Sequence, residues 1–177
     1  MFQSTIIIVP GLGNSGPQHW QSLWTNQFNF IRVEQRDWEN PVCTDWIKVI
    51  NDEVEKHNPS DVILVAHSLA CPTVARWAQQ SGTKIKGALL VAPVDTEADT
   101  LPARTTGFNN TELIDLPFKS IVVTSTTDQY VTEPRARHFA ECWGSDFISI
   151  GDAGHINIAS GYGKWDEGLE ILKRLDK

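Results

Sequence analysis

The chain has 177 residues, of which 41% are hydrophobic, with a formal charge of −7 and three cysteines. That length suits one packed domain rather than two, and the acidic balance, without any basic run, excludes an electrostatic footprint for nucleic acid or an anionic membrane. Cys43, Cys71 and Cys142 form no metal-ligand pattern and suit a reducing compartment; with no signal-peptide pattern after Met1 and no apolar stretch of membrane length, the expectation is a soluble cytoplasmic protein needing neither a metal nor an organic cofactor.

In chain order, Thr5-Ile-Ile-Ile-Val9 is a continuous apolar run, as expected of a strand buried on both faces of a parallel sheet. The glycine-rich stretch from Pro10 to Gly16 reads as a loop, and Pro17 to Phe28 as a helix with Trp20, Leu23, Trp24 and Phe28 along one side. Phe30 to Glu34 is a second strand. Thr44 is placed to cap a helix reaching about His57, with Trp46, Ile47, Ile50 and Val54 on its apolar face. A strand from Asp61, a helix from Leu69 to about Gln80 and a strand over Gly87–Val91 follow.

The segment 93–118 breaks this rhythm. It comprises about two dozen mostly polar residues, either a lid-like flap contacting substrate or a solvated surface connection. Beyond it come a strand at Lys119–Thr124, a helix at Glu133–Trp143, a strand at Asp146–Ile150 and a helix at Lys164–Leu175. Six strands and about six helices in β-α alternation predict a single α/β domain over 1–177, with a parallel sheet, right-handed crossovers and helices on both faces.

The chemistry concentrates at strand ends. Ala66-His67-Ser68-Leu69-Ala70 places a serine between small residues at a strand-to-helix turn. Such a turn strains its central residue and lifts the hydroxyl above the sheet. The usual form is G-x-S-x-G; alanine satisfies the same steric reason, and an ordinary helix-capping serine is the bland alternative. A serine nucleophile needs a base and a carboxylate to orient it. Asp128 follows the 119–124 strand and His155 the 146–150 strand, which is the serine, acid, histidine order of α/β-hydrolases. Asp95 is the main rival acid, and Asp152 rivals only by its closeness to His155.

Acyl transfer also needs backbone N–H groups at the developing oxyanion. Leu69, at the start of its helix, is one candidate donor. Leu12 in the first loop is the other, with Gly13 next. Gly11-Leu-Gly13-Asn-Ser-Gly16 also satisfies G-x-G-x-x-G, weak support for a nucleotide site. His19 and His67 are read as possible pocket walls, and Trp20 and Trp38 as possible linings of an apolar acyl pocket. His57 and His138 are read as solvent-facing.

Val9-Pro-Gly-Leu-Gly-Asn-Ser-Gly-Pro-Gln-His-Trp20, Arg36-Asp-Trp-Glu-Asn-Pro41, Val65-Ala-His-Ser-Leu69 and Ala153-Gly-His-Ile-Asn157 together resemble the small serine-hydrolase family typified by retinoblastoma-binding protein 9. The resemblance implies a minimal α/β-hydrolase that starts at the third strand of larger members, with strand order 2-1-3-4-5-6. It also implies Ser68 as nucleophile, Asp128 as acid and His155 as base. Ala70 departs from the more usual glycine. The L-x-C-x-E type of protein-binding motif is absent, so no protein partner is carried over. The expected function is esterase-like cleavage of a small-molecule acyl substrate. Amidase, peptidase and thioesterase chemistry on the same residues, or a binding module with a vestigial site, are the alternatives.

Overall fold

The computed structural model describes residues 2–177. Its strands are β1 (Thr5–Val9), β2 (Ile31–Arg32), β3 (Val62–His67), β4 (Gly87–Val91), β5 (Lys119–Thr124) and β6 (Asp146–Ser149). They form one sheet in the order β2-β1-β3-β4-β5-β6, and every neighbouring pair is parallel.

Strand side chains alternate between faces, and both faces are covered. Ile7, Val9, Leu64, Leu90 and Val122 point into a layer closed by α2 (Cys43–Val54), α3 (Ala70–Ser81) and α4 (Glu133–Trp143). Ile6, Ile8, Val65, Leu89 and Val123 point into the opposite layer, closed by α1 (Trp20–Phe28) and α5 (Asp166–Leu172). That double coverage is why the strands read as unbroken apolar runs.

Several boundaries move for local reasons. The expected strand over Phe30–Glu34 shortens to Ile31–Arg32, because the Phe30 N–H is taken by Thr25 at the end of α1. Helix α1 starts at Trp20 rather than Pro17, since the His19 ring caps it by accepting from the Gln21 N–H. Thr44 is not a cap. Helix α2 begins one residue earlier, and the Cys43 N–H is satisfied by the Thr106 carbonyl at 2.9 Å instead of by a side chain.

Among the described residues there are five α-helices against the expected six or so, and 93–118 contributes none. That segment is nonetheless tethered at many points. Phe108 is buried in the core, the Arg76 guanidinium on α3 donates to the carbonyls of Gly107, Asn109 and Asn110, and the Trp143 indole donates to the Glu112 carbonyl at 2.6 Å.

Arg76→Ala removes the donor to all three carbonyls. A charged donor of this kind contributes about 1–3 kcal/mol, so the urea unfolding midpoint should fall accordingly, with proteolytic cleavage appearing first in 100–112. An unchanged midpoint and cleavage pattern would show that the tether is idle.

Candidate active site

The β-strand order reverses direction between β1 and β3, the place where α/β sheets open a crevice at their carboxyl ends. After β3 the chain turns at Ser68 with φ +58°, a left-handed conformation that costs a non-glycine residue about 1–2 kcal/mol. The turn is held by the Ser68 N–H on the Val91 carbonyl and the Cys71 N–H on the Ser68 carbonyl, each at 3.0 Å. Ala66 and Ala70 are fully buried on either side. The tightest steric demand lies across the crevice. A Cβ on Gly11 would sit 2.8 Å from the His67 carbonyl oxygen and 2.9 Å from Ser68 Cβ. Alanine therefore suffices within the turn, while glycine is required opposite it.

Ser68, Asp128 and His155 come together. His155 Nε2 lies 2.9 Å from Ser68 Oγ, and His155 Nδ1 lies 2.8 Å from Asp128 Oδ2. The Asp128 side chain is fully buried, and its other oxygen accepts the Tyr130 N–H at 2.9 Å. Asp95 is engaged elsewhere, ion-paired to Arg135 at 3.2 Å, and Asp152 accepts from Thr127 Oγ1 at 2.7 Å. Thr127 Oγ1 also accepts the Gly154 N–H, and Ser125 Oγ the Ala153 N–H, each at 3.0 Å. These bonds lace the loop of Asp128 to the loop of His155. Ile156, a β-branched residue at φ +49°, is a strained point, pinned where the Trp20 indole donates to its carbonyl at 2.9 Å.

Two amides near Ser68 are open. Neither the Leu69 nor the Leu12 N–H has a partner among the described residues. Gly13 is not an equivalent donor, because its N–H is spent on the Trp38 carbonyl at 2.9 Å. The first loop is braced from beneath by Gln21, which is wholly buried. Its amide donates to the Val9 and Val65 carbonyls at 3.2 and 3.1 Å and accepts from Ser15 Oγ at 2.7 Å.

Residues 6–174 match the model of the serine hydrolase family. The chain belongs to that family. The group typified by retinoblastoma-binding protein 9 falls within it. A YdeN-like candidate hydrolase from Pectobacterium atrosepticum is 31% identical, with a TM-score of 0.86 over 97% of this chain and 90% of that one. The ydeN gene product of B. subtilis is 18% identical, with a TM-score of 0.85 and 98% of each chain covered. The type II thioesterase BorB of the borrelidin biosynthetic cluster shares the fold at 16% identity, with a TM-score of 0.67 over 97% of this chain and 92% of that one. No curated protein sequence matches significantly.

In this family member the serine opens into a cleft of about 570 Å³. Its apolar walls include Leu12, Leu69, Val94, Leu101 and Ile158, so the 93–118 segment does face the cleft. Arg104 of that segment pairs with Glu39 at 3.3 Å across the rim. His19 and His67 also line the cleft, whereas Trp20 and Trp38 do not. Trp20 is drawn fully into the core against Trp24 and Trp165, and Trp38 packs edge-on against Trp46. His138 is exposed, while His57 is half-buried against Glu53.

Three imidazoles stand in a row, with centroids 5.0 Å apart from His19 to His67 and 4.9 Å from His67 to His155. Burial pushes His67 well below the ordinary histidine range, aided by His155 and His19, so the neutral ring donates from Nε2 to the His155 carbonyl at 2.9 Å. Tyr130 packs edge-on against the other side of His155 at 4.6 Å. Sequence patterning does not single out Gln21, Ser125, Thr127 or Tyr130, since each acts through contacts distant in the chain. Among the described residues no group of three or more His, Cys, Asp or Glu is placed to hold a metal ion, and no helix is long and apolar enough to cross a membrane.

Gly11→Ala should lower stability by about 1–3 kcal/mol, the usual scale for overpacking, because the added methyl meets backbone rather than a yielding side chain. Gln21→Leu should cost about 1–3 kcal/mol, by leaving the buried Ser15 hydroxyl without its acceptor and removing a second donor from the Val9 and Val65 carbonyls. Denaturant midpoints check both, and a Gly11→Ala protein as stable as the parent would refute the close approach.

Proposed function

We propose that the protein is a cytoplasmic serine hydrolase of esterase type, cleaving small or medium acyl esters through an acyl-enzyme on Ser68. The observation that carries this reading is the continuous hydrogen-bonded relay from Ser68 Oγ through the His155 ring to the Asp128 carboxylate. A vestigial site in a mere binding module would not need to hold the hydroxyl and ring at 2.9 Å while storing strain at Ser68. The buried free thiols of Cys43 and Cys71 support a reducing, cytoplasmic setting.

In the proposed reaction, Ser68 Oγ attacks the ester carbonyl as His155 Nε2 takes its proton. Asp128 holds the Nδ1–H, which fixes the tautomer and stabilises the imidazolium. Negative charge develops on the carbonyl oxygen, and the open Leu69 and Leu12 amides receive it. The first of these lies at the N-terminal end of α3, where the helix dipole favours an anion. His155 returns its proton to the departing alcohol. A water molecule then repeats the sequence on the acyl-enzyme, releasing the acid and restoring Ser68. The cleft volume of about 570 Å³ falls within the range for small-ligand sites. The leaving group can be an alcohol, thiol or amine without changing these roles.

A fluorophosphonate probe should label the protein and fail to label Ser68→Ala; labelling that persists there would sink the nucleophile assignment. Asp128→Asn should fold normally yet lose roughly 10⁴-fold in turnover, as expected when the histidine loses its tautomer and charge partner. Asp95→Asn, which only loosens an ion pair with Arg135, should leave kcat within a few-fold of the parent. The reverse ranking of the two variants would overturn the acid assignment.

A further inference from the structure

His19 is a polar group of the cleft wall that the Ser68–His155–Asp128 relay does not use. His19 turns its Nδ1 towards α1, where it accepts the Gln21 N–H at 3.2 Å. A neutral ring with Nδ1 as acceptor carries its proton on Nε2. Burial pushes the His19 pKa down to about 4, helped by the Arg32 cation and by His155, so the ring is uncharged at neutral pH. Nε2 has no hydrogen-bond partner among the described residues, yet it is not among the buried atoms left unpartnered there. His19 is only 5% exposed, and the cleft is the cavity that it lines. The free edge of His19 therefore presents an N–H donor to whatever occupies the cleft, one imidazole removed from His155.

We propose that His19 is a substrate-recognition residue, whose Nε2–H donates to an uncharged oxygen of the ester beyond the scissile carbonyl. The cleft then selects esters carrying an ether, hydroxyl or carbonyl oxygen over purely hydrocarbon ones. The inference rests on the serine-hydrolase reading of this cleft and adds a substrate class to it. The physical reason is an asymmetry. A donor in a confined site gains modestly when paired, but leaving it bare against a methylene group forfeits its hydration as well.

The test uses two matched ester pairs. One differs in the acyl chain, 3-methoxypropanoate against pentanoate, and the other in the alcohol, 2-methoxyethyl against butyl. Each member is measured on the parent protein, His19→Asn and His19→Gln. Asparagine reproduces the Nδ1 cap on Gln21 but cannot reach into the cleft, whereas the glutamine amide reproduces the Nε2–H. In one of the two pairs, the kcat/KM preference for the oxygen-bearing ester should fall about fivefold to tenfold in His19→Asn, mostly through KM, and recover in His19→Gln. The pair that responds says whether the oxygen lies in the acyl or the alcohol part.

A preference unchanged by His19→Asn in both pairs would overturn the proposal. So would an equal loss on both members in His19→Gln with none in His19→Asn, since that would make His19 a helix cap alone. Fluorophosphonate labelling of Ser68 in the same samples separates the two levels. Labelling retained in all three proteins leaves the serine-hydrolase reading standing whatever the ratios show, and its absence from the parent removes both readings.

Discussion

Gly11 lies so close to the turn at Ser68 that even a methyl group there would press on the His67 carbonyl. The strained backbone at Ser68 persists because its surroundings admit few alternatives. Buried alanines flank it within the chain, the Val91 carbonyl holds its amide, and the glycine loop closes from the far side. The same approach brings the start of the first loop beside the Leu69 amide, so one steric constraint both aims the serine and gathers the two free N–H groups. The Ser68 turn and the first loop follow neighbouring strands of the sheet, β3 and β1.

The loops that carry Asp128 and His155 are positioned by hydroxyls and backbone groups rather than by packing alone. Ser125 and Thr127 bridge the two loops, and Tyr130 both donates an N–H to Asp128 and sets its ring edge-on to His155. On the opposite side the first loop is fixed by Gln21 and by the Arg32 guanidinium, which reaches the Ser15 carbonyl and the Asn14 side chain. The segment 93–118 then closes one wall through the Thr106 contacts with Pro41 and Cys43 and the pairing of Arg104 with Glu39. Since the Trp38 carbonyl in turn holds the Gly13 amide, the flap and the first loop are joined through the stretch 37–43.

The central strands were legible because a run such as 6–9 has no surface-facing position to fill with a polar residue. The meeting of Ser68, Asp128 and His155 was legible because each follows a recognisable strand in a recognisable order. What stayed hidden depends on contacts across the chain. Val42 gives no capping signal, since a carbonyl from the 93–118 segment does that work. Trp20 looks like a pocket residue from its place beside the first loop, but its neighbours Trp24 and Trp165 draw it inward. The choice of Leu12 over Gly13 as the open amide turns on a hydrogen bond to Trp38 that no local pattern announces.

The indole cluster beneath His155 gives the molecule a built-in optical reporter. Trp20 and Trp24 have ring centroids 4.6 Å apart, and Trp24 lies nearly parallel to Trp165 at 5.8 Å. Indoles so near one another couple their electronic transitions, which imprints a signature on the circular dichroism of the aromatic bands. Trp20 is also the indole bonded to the Ile156 carbonyl and set edge-on to His67. Loosening of the histidine loop would thus alter the spectrum before the sheet itself comes apart, and light absorbed by the core can follow order at the cleft without any added dye.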